Sequence, residues 1–133
     1  MTTVREHMTT SPHTIGDAQS VEEAARRMSR YQIRHLPVLR GGELVGIVSD
    51  RDVRLVEGLG LEQTPVGEAM SPEVFTVDAT DELGDVVAHM SSQKKGSAVV
   101  LDHGHVIGIF TTTDALGYLS RLLAIEELRT KGF

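Results

Sequence analysis

The chain contains the same pattern twice. When it is shifted by 62 residues without a gap, the segment from Val4 to Leu55 lies on the segment from Val66 to Gly117. Twelve positions are then identical: Val4/Val66, Glu6/Glu68, Met8/Met70, Thr14/Thr76, Met28/Met90, Ser29/Ser91, Val38/Val100, Leu39/Leu101, Gly42/Gly104, Gly46/Gly108, Ile47/Ile109 and Asp52/Asp114. A repeat constrains the architecture before any element is assigned. Two copies are too few for a solenoid, so they predict a two-fold pair that buries a shared face and leaves matched clefts.

The composition indicates a globular protein whose two copies fold together, because a unit of about 60 residues is marginally stable alone. Hydrophobic residues make up 40% of the chain and charged residues 24%. The formal net charge of −6 disfavours a general binder of phosphate backbones. The chain has no cysteine, which excludes disulfides, thiolate metal sites and cysteine nucleophiles.

The beginning of the chain lacks the apolar core of a signal peptide. No apolar run approaches the ~18 residues that span a bilayer. We therefore expect a cytoplasmic protein that has neither a membrane nor a nucleic acid as partner.

Each copy is predicted to fold as an extended segment, a helix, two strands and a second helix. In the first copy, Ser20 precedes an apolar stripe at helical spacing, with Glu23 at capping-box distance. The second copy repeats the stripe after Thr80 or Asp81, one of which is expected to cap the helix. The predicted strands are Leu36–Leu39, Leu44–Val48, Ala98–Leu101 and Val106–Phe110, joined in pairs by glycine-containing hairpin loops.

A linker rich in turn-forming residues, 58–65, separates the copies, so we divide the chain into repeat 1 at residues 1–60 and repeat 2 at 61–133. The last helix is predicted to run to about Lys131, with Gly132 as its stop. Its apolar stripe continues beyond the repeat, which indicates either an interface between copies of the chain or a helix that folds back on its own repeat. The stripe comprises Leu116, Leu119, Leu122, Leu123 and Leu128.

The sharpest local motif is a glycine, two apolar residues, a hydroxyl residue, two variable residues and an aspartate. It occurs at Gly46–Asp52 and again at Gly108–Asp114. Such a strand-to-helix turn can bind a nucleoside phosphate, because helix-start amides favour an anion and a carboxylate accepts from ribose hydroxyls. The same spacing also suits a simple helix cap, and the sequence leaves both interpretations open.

The two copies differ just before their first predicted strand. The first copy has Arg34-His35 there, whereas the second has Gly96-Ser97. A basic pair at a strand entrance can bind phosphate, although it can also be a solvated strand end. If the clefts bind ligands, the first is better equipped for phosphate.

Together these features resemble a tandem pair of cystathionine-β-synthase (CBS) domains, often called a Bateman module. The resemblance rests on both turns, on the Leu-Pro-Val strand at Leu36–Val38 and on the duplication, and it covers about residues 4–119. It implies an α/β fold, of α+β-like character, in which two pseudo-symmetric β-α-β-β-α repeats pack sheet to sheet. It also implies two clefts between the repeats and a homodimer.

In this family the clefts bind adenine-containing ligands, which implies AMP, ADP or ATP ahead of S-adenosylmethionine or NAD, and no required cofactor. The aspartates of the turns would hold the ribose, the turn hydroxyls would meet ribose or phosphate, and the basic pair would reach phosphate. The segments Thr14-Ile15 and Thr76-Val77 would flank the base with backbone groups. The candidate ligand-binding residues are Thr14, Ile15, Arg34, His35, Leu36, Pro37, Ser49, Arg51, Asp52, Thr76, Val77, Ser97, Ala98, Thr111, Thr113 and Asp114.

Two functional hypotheses follow. The chain is a regulatory module that senses an adenine nucleotide and signals to an unknown protein effector, or it is a homodimeric interaction module with vestigial clefts. We expect no enzymatic activity, because no set of nucleophile, base and orienting group is readable. We also expect no metal site, since His103-Gly104-His105 lies in a hairpin loop without a third ligand.

Overall fold

The computed structural model of the chain describes residues 1–132. These residues divide into two compact units. The first unit comprises Ser11–Val74 and Gly104–Val106. The second unit comprises Met1–Thr10, Phe75–His103 and the chain from Ile107 onward. Each unit therefore combines the body of one repeat with the leading segment of the other: residues 1–10 fold with repeat 2, and residues 66–74 fold with repeat 1.

Seven strands and five α-helices follow a short 3-10 helix at Val4–Glu6 in residues 1–132. In chain order the elements are β1 (Thr9–Thr10), β2 (Ile15–Gly16), α1 (Val21–Tyr31), β3 (His35–Arg40), β4 (Glu43–Ser49), α2 (Asp50–Gly58), α3 (Val66–Ala69), β5 (Thr76–Asp78), α4 (Leu83–Gln93), β6 (Ser97–Asp102), β7 (His105–Thr111) and α5 (Thr112–Thr130). The predicted mixed α/β class and the β-α-β-β-α order of each repeat are confirmed. Within residues 1–132, no helix combines the length and apolar character that crossing a membrane requires.

The two sheets follow the same plan. In the first unit the strand order is β2-β3-β4, and in the second it is β1-β7-β6-β5. Each central hairpin closes through a two-residue turn whose residues both have positive φ, Gly41-Gly42 and His103-Gly104. This backbone geometry matches the twist of the flanking strands, so the predicted hairpin loops are confirmed.

Helix α1 begins where the sequence predicts. Ser20 Oγ accepts a hydrogen bond from the backbone N–H of Glu23 at 3.1 Å. The helix buries Val21, Ala24 and Met28 against the core of the first unit. The Glu23 carboxylate does not complete a capping box, because it pairs with arginines one turn further along the helix.

The predicted cap of helix α4 is wrong. Thr80 and Asp81 instead form a turn with Asp78, in which the Thr80 hydroxyl donates to the Asp78 carboxylate at 2.7 Å and Asp81 accepts from the Asp78 N–H at 2.9 Å. The N-cap is Glu82, whose side chain makes no capping bond. The Leu83 N–H donates to the Thr2 carbonyl at 2.8 Å, so the leading segment supplies a partner that a local cap would otherwise provide.

Helix α5 runs on as one helix to Thr130, and Gly132 follows it with a positive φ of 79°. This agrees with the predicted length and stop. None of its residues is fully buried. The five leucines of the predicted stripe are all exposed, and Ile125 joins them. This apolar surface is therefore uncovered within the described part of the chain.

The leading segments approach the central hairpins very closely at two glycines. Met70 and the Ser71 carbonyl lie against Gly46, and Met8 and the Thr9 carbonyl lie in the same way on Gly108. Backbone bonds fix the first approach, since Ile47 and Ser71 exchange two hydrogen bonds of 2.9 Å. A Cβ has no room at either site, so each close contact requires a glycine. The glycine and the methionine that packs on it are therefore duplicated together.

We predict that Gly108→Ala destabilises the protein by about 1–3 kcal/mol, the usual effect of overpacking a filled site. A Cβ there would collide with the Met8 thioether and lie 3.0 Å from the Thr9 carbonyl oxygen, and the backbone carbonyl cannot rotate away. The free energy of unfolding is measured by urea denaturation.

Gly84→Ala is the matched control, because Gly84 lies in helix α4 with no heavy atom within 4 Å of the position that a Cβ would take. This variant should be as stable as the wild type or more stable by up to about 1 kcal/mol. Equal unfolding midpoints for the two alanine variants would contradict the packing role of Gly108.

Candidate functional site

The two hydroxyl-x-x-Asp motifs cap helices α2 and α5. Ser49 Oγ accepts from the Asp52 N–H at 3.2 Å, and Asp52 Oδ2 accepts from the Ser49 N–H at 2.9 Å. The corresponding distances for Thr111 and Asp114 are 3.3 and 2.9 Å. The capping interpretation is therefore confirmed for both motifs, and any ligand would have to use what the caps leave available.

In the first unit, the cap leaves one carboxylate oxygen. The Ser49 hydroxyl also donates to Asp52 Oδ2 at 2.9 Å, so its proton is engaged. Asp52 Oδ1 has no hydrogen-bond or ion-pair partner among residues 1–132, and the residue is half-buried. A half-buried acceptor of this kind can receive hydroxyl donors from a ligand.

The second unit differs at this point. Asp114 Oδ1 accepts from the Thr9 hydroxyl of strand β1 at 3.4 Å. The residue equivalent to Thr9 in the other unit is Ser71, whose hydroxyl donates to the Glu73 carbonyl instead. The carboxylate of the second unit is therefore more fully occupied by the protein itself.

Most backbone amides at the start of helix α2 are also engaged. The Asp50 N–H donates to the Arg34 carbonyl at 2.8 Å, which fixes the residue before strand β3 against the helix start. The N–H groups of Ser49 and Asp52 are taken by the capping box. Among residues 1–132 the amide of Arg51 alone in this first turn has no such partner, so an anion would find one backbone donor there.

The basic pair of the sequence lies beside this turn. His35 is directly opposite Ser49 in the β3–β4 ladder, and Arg34 precedes it on the exposed end of the strand. Burial lowers the pKa of His35 below its usual value, and the nearby Asp52 partly opposes this shift whereas Arg34 adds to it. His35 is therefore uncharged near neutral pH, and its ring can donate one hydrogen bond and accept another.

The structure brings the polar candidates of the first unit to one end of its sheet. Strand β2 runs parallel to β3, with Ile15 level with Val38, which places the preceding Thr14 at the end where β3 begins and β4 stops. The Arg51 side chain is exposed in the same turn. Three apolar candidates have side chains in the core, so only their backbone atoms could contact a ligand: Ile15, Leu36 and Pro37.

The polar candidates of the second unit are arranged equivalently. The Thr112 N–H donates to the Gly96 carbonyl at 3.1 Å, as Asp50 does to Arg34. Ser97 begins β6 and is half-buried, whereas Thr76 and Thr113 are exposed. The apolar candidates Val77 and Ala98 lie in the core. No basic side chain occupies the place of Arg34 or His35, because glycine and serine stand there.

Sequence reasoning missed three contributors to these arrangements. Arg27 donates to the Thr14 carbonyl at 2.7 Å, Thr9 reaches Asp114, and Asp50 is a negative charge close to His35. Arg27 and Thr9 act across 13 and 105 positions of sequence, so no local pattern could have identified them. Asp50 was visible as the residue after Ser49 in the motif.

The contacts of the first site among residues 1–132 do not activate a nucleophile. The Ser49 hydroxyl donates its proton to Asp52 and not to His35, so these residues do not form a nucleophile–base pair. The His103 ring lies 2.9 Å from the Asp102 carboxylate in the hairpin turn. Within residues 1–132 no three potential metal ligands are grouped together.

Comparison with known proteins identifies the domain. The family model of the CBS domain matches residues 4–57 and 66–121. The chain is 31% identical over 116 residues to the CBS domain-containing protein YhcV of Bacillus subtilis (strain 168), an alignment that covers 86% of this chain and 83% of YhcV. Some other curated relatives are longer, and the chain spans 23% of one and 45% of another.

Solved structures show the same fold. AcuB of Vibrio cholerae superposes with a TM-score of 0.86 at 29% identity, with 96% of both chains covered. CBSX2 in complex with AMP has a TM-score of 0.81 at 26% identity, covering 92% of this chain and 98% of CBSX2. The CBS domain pair of MJ0100, in complex with 5′-methylthioadenosine and S-adenosyl-L-methionine, has a TM-score of 0.81 at 27% identity, covering 95% and 98%.

The repeat, the two capped turns and these likenesses agree, and the chain belongs to the CBS-domain family as a protein with two copies of the domain.

Proposed function

We propose that the chain is a regulatory module that binds an adenine nucleotide, AMP, ADP or ATP, most strongly at the first site. This site is defined as Thr14, Arg34, His35, the Ser49–Asp52 turn and the adjoining backbone. The observation that carries the proposal is that a carboxylate oxygen without a partner among residues 1–132 and a basic pair lie at the same end of one sheet. The ligands named for related structures, AMP, 5′-methylthioadenosine and S-adenosyl-L-methionine, share an adenosine moiety.

The ribose and the phosphate of an adenine nucleotide each have a complementary group at the first site. The ribose hydroxyls would donate to Asp52 Oδ1, which the helix cap leaves available. The phosphate would lie near Arg34 and the exposed Arg51, with the Arg51 amide and the His35 ring as further donors. Guanidinium groups suit phosphate because they offer several N–H donors in one plane.

The second site is defined as Thr76, Ser97 and the Thr111–Asp114 turn. It has the same turn but lacks the basic pair, and its aspartate already accepts from Thr9. It should therefore bind phosphorylated ligands more weakly than the first site. Adenosine derivatives without a phosphate, such as S-adenosylmethionine, suit it better than AMP or the dinucleotide NAD.

The second candidate function is a homodimeric interaction module with unliganded sites. The exposed leucines of helix α5 favour it, because a row of apolar side chains on a long helix is normally covered. The two functions are compatible, since a nucleotide sensor without a catalytic step must pass its signal to a protein effector. We infer that a second copy of the chain covers the leucines, in a homodimer.

We predict that Asp52→Asn abolishes the preference of the first site for AMP over 2′-deoxy-AMP. Asparagine can still accept the Ser49 N–H and cap helix α2, but its amide replaces the oxygen that would receive the ribose. The loss in AMP affinity should be about 1–3 kcal/mol, the effect of removing a hydrogen bond to a charged group. Isothermal titration calorimetry with both nucleotides measures it.

Asp114→Asn is the matched control for this experiment, because it makes the same change at the weaker site. It should alter AMP binding much less. If wild type and Asp52→Asn distinguish the two nucleotides equally well, Asp52 does not contact the ribose.

We predict that AMP affinity rises as the pH falls from 8 to 6.5. In the free protein, burial holds the pKa of His35 below its usual value, so the neutral ring predominates in this window. A bound phosphate would raise the pKa of His35, and ligand binding would then take up a proton. The window stops at pH 6.5 so that the phosphate, whose second pKa is about 6, stays mostly doubly ionised.

Adenosine provides the ligand control for the pH dependence and His35→Gln provides the protein control. Both should give affinities that change little between pH 8 and 6.5. An AMP affinity with the same slope in His35→Gln as in wild type would assign the proton uptake to another group.

We predict that Leu119→Lys combined with Leu123→Lys converts a dimer into a folded monomer. Both side chains are exposed on α5, at 47% and 54%, so the substitutions remove no core contact. Light scattering at micromolar concentration gives the mass, and circular dichroism verifies folding. Leu55→Lys on α2, where the leucine is 63% exposed, should remain dimeric. A double variant that also stays dimeric would exclude this part of α5 as the main contact.

A further inference from the structure

Two equivalent backbone carbonyls lie at the outer strands of the two sheets, that of Thr14 just before β2 and that of Thr76 in β5. The two carbonyls differ in their hydrogen-bond partners. Just before strand β5, the Phe75 carbonyl accepts from the Val99 N–H at 2.9 Å, and just after the strand the Ala79 N–H donates to the Leu101 carbonyl. Because successive carbonyls of a strand point in opposite directions, the Thr76 carbonyl points away from β6. Thr14 holds the equivalent position beside β2.

The Thr14 carbonyl is occupied by an arginine. Arg27 of helix α1 donates to it through Nη1 at 2.7 Å. The same side chain is half-buried and is held in place by Glu23, at 3.2 Å from Nε. Hydrogen bonds from Arg26 and then Arg27 lower the pKa of Glu23. The carboxylate therefore stays ionised and remains paired with the Arg27 guanidinium.

A proline explains why this segment needs such a support. Val99, which holds the segment before β5 through its N–H, corresponds to Pro37 in the first unit, and proline has no N–H to donate. Strand β2 accordingly begins one position later than β5 relative to the repeat, at Ile15 and not at Thr14. The bond that Pro37 cannot make would go to the His13 carbonyl, and Arg27 instead holds the next carbonyl, that of Thr14, from the opposite side.

The second unit has no equivalent of Arg27. His89 stands at the matching position and stacks on Phe75, with ring centroids 4.2 Å apart. No hydrogen bond to the Thr76 carbonyl is formed by any of residues 1–132, and Thr76 is exposed. The two sites therefore offer a base edge different groups: a carbonyl already bonded by a guanidinium in the first, and an open carbonyl in the second.

We propose that Arg27 sets the base selectivity of the first site. Because of Arg27, the first site accepts 6-oxopurine nucleotides such as IMP nearly as well as AMP, whereas the second site selects 6-aminopurines. The inference rests on the proposed function, in which the backbone at Thr14 flanks the base. The 6-amino group of adenine is a donor that needs an acceptor such as a carbonyl, whereas the 6-oxo group of hypoxanthine is an acceptor that a guanidinium can serve. A base that contacts the Thr14 carbonyl meets the Arg27 donor with it.

The test compares AMP with IMP by calorimetry in the full chain carrying Asp114→Asn, which weakens the second site. In this background the two affinities should lie within a few-fold of each other. Adding Arg27→Met removes the donors, keeps a side chain of similar length and frees the Thr14 carbonyl. The preference for AMP should then rise by about tenfold, the effect of one hydrogen bond gained by AMP and lost by IMP. Adding Arg27→Lys, which keeps a cation near the carbonyl, should leave the preference small.

The matched control is His89→Met in the Asp52→Asn background, where the ratio of AMP to IMP affinity should not change. An AMP-to-IMP ratio that is the same with Arg, Lys and Met at position 27 would overturn the proposal. So would an equal loss of both affinities in Arg27→Met, since that result would mean that Arg27 only supports the fold. If neither nucleotide binds the chain that has only the Asp114→Asn change, while its urea unfolding is normal, the proposed nucleotide function itself fails, and this inference fails with it.

Discussion

The close approach of a leading segment to a glycine in the central hairpin is the contact on which each unit depends. At Gly46 the neighbours are Met70 and the Ser71 carbonyl, and at Gly108 they are Met8 and the Thr9 carbonyl. Since each leading segment comes from the other repeat, neither sequence repeat alone contains a whole compact unit. The identity of these glycines and methionines between the copies is thereby explained by packing, without reference to any ligand.

Local signals in the sequence predicted the elements well. The cap at Ser20, the two hairpin turns and the starts of α2 and α5 follow from residues a few positions apart, and all are observed. The cap of α4 was predicted wrongly because its N–H groups are satisfied from Thr2, far away in sequence. Arg27 could not be singled out for the same reason: on the sequence it is one of several charges on a helix, and only the fold brings it to Thr14.

The family explains the two-fold plan, whereas the differences between the copies carry the functional argument. The first unit has the basic pair, a proline in its central strand and an arginine on the outward carbonyl. The second has glycine and serine in place of the basic pair, an aspartate that Thr9 contacts and an open carbonyl. Within each unit these differences occur together around the same turn. Under the proposed nucleotide function, we therefore expect the two sites to prefer different ligands, and not merely to bind one ligand with different affinities.

The capping boxes have a consequence for how sequences of this kind are interpreted. Asp52 and Asp114 each accept a hydrogen bond from the N-cap amide of their own helix and so complete its capping box, which contributes to the stability of the fold. Selection for a stable fold therefore preserves the motif even in a descendant that has lost its ligand. The presence of the aspartate is therefore weak evidence that a ligand binds. A side chain that the fold does not require, such as that of Arg34, is better evidence for binding.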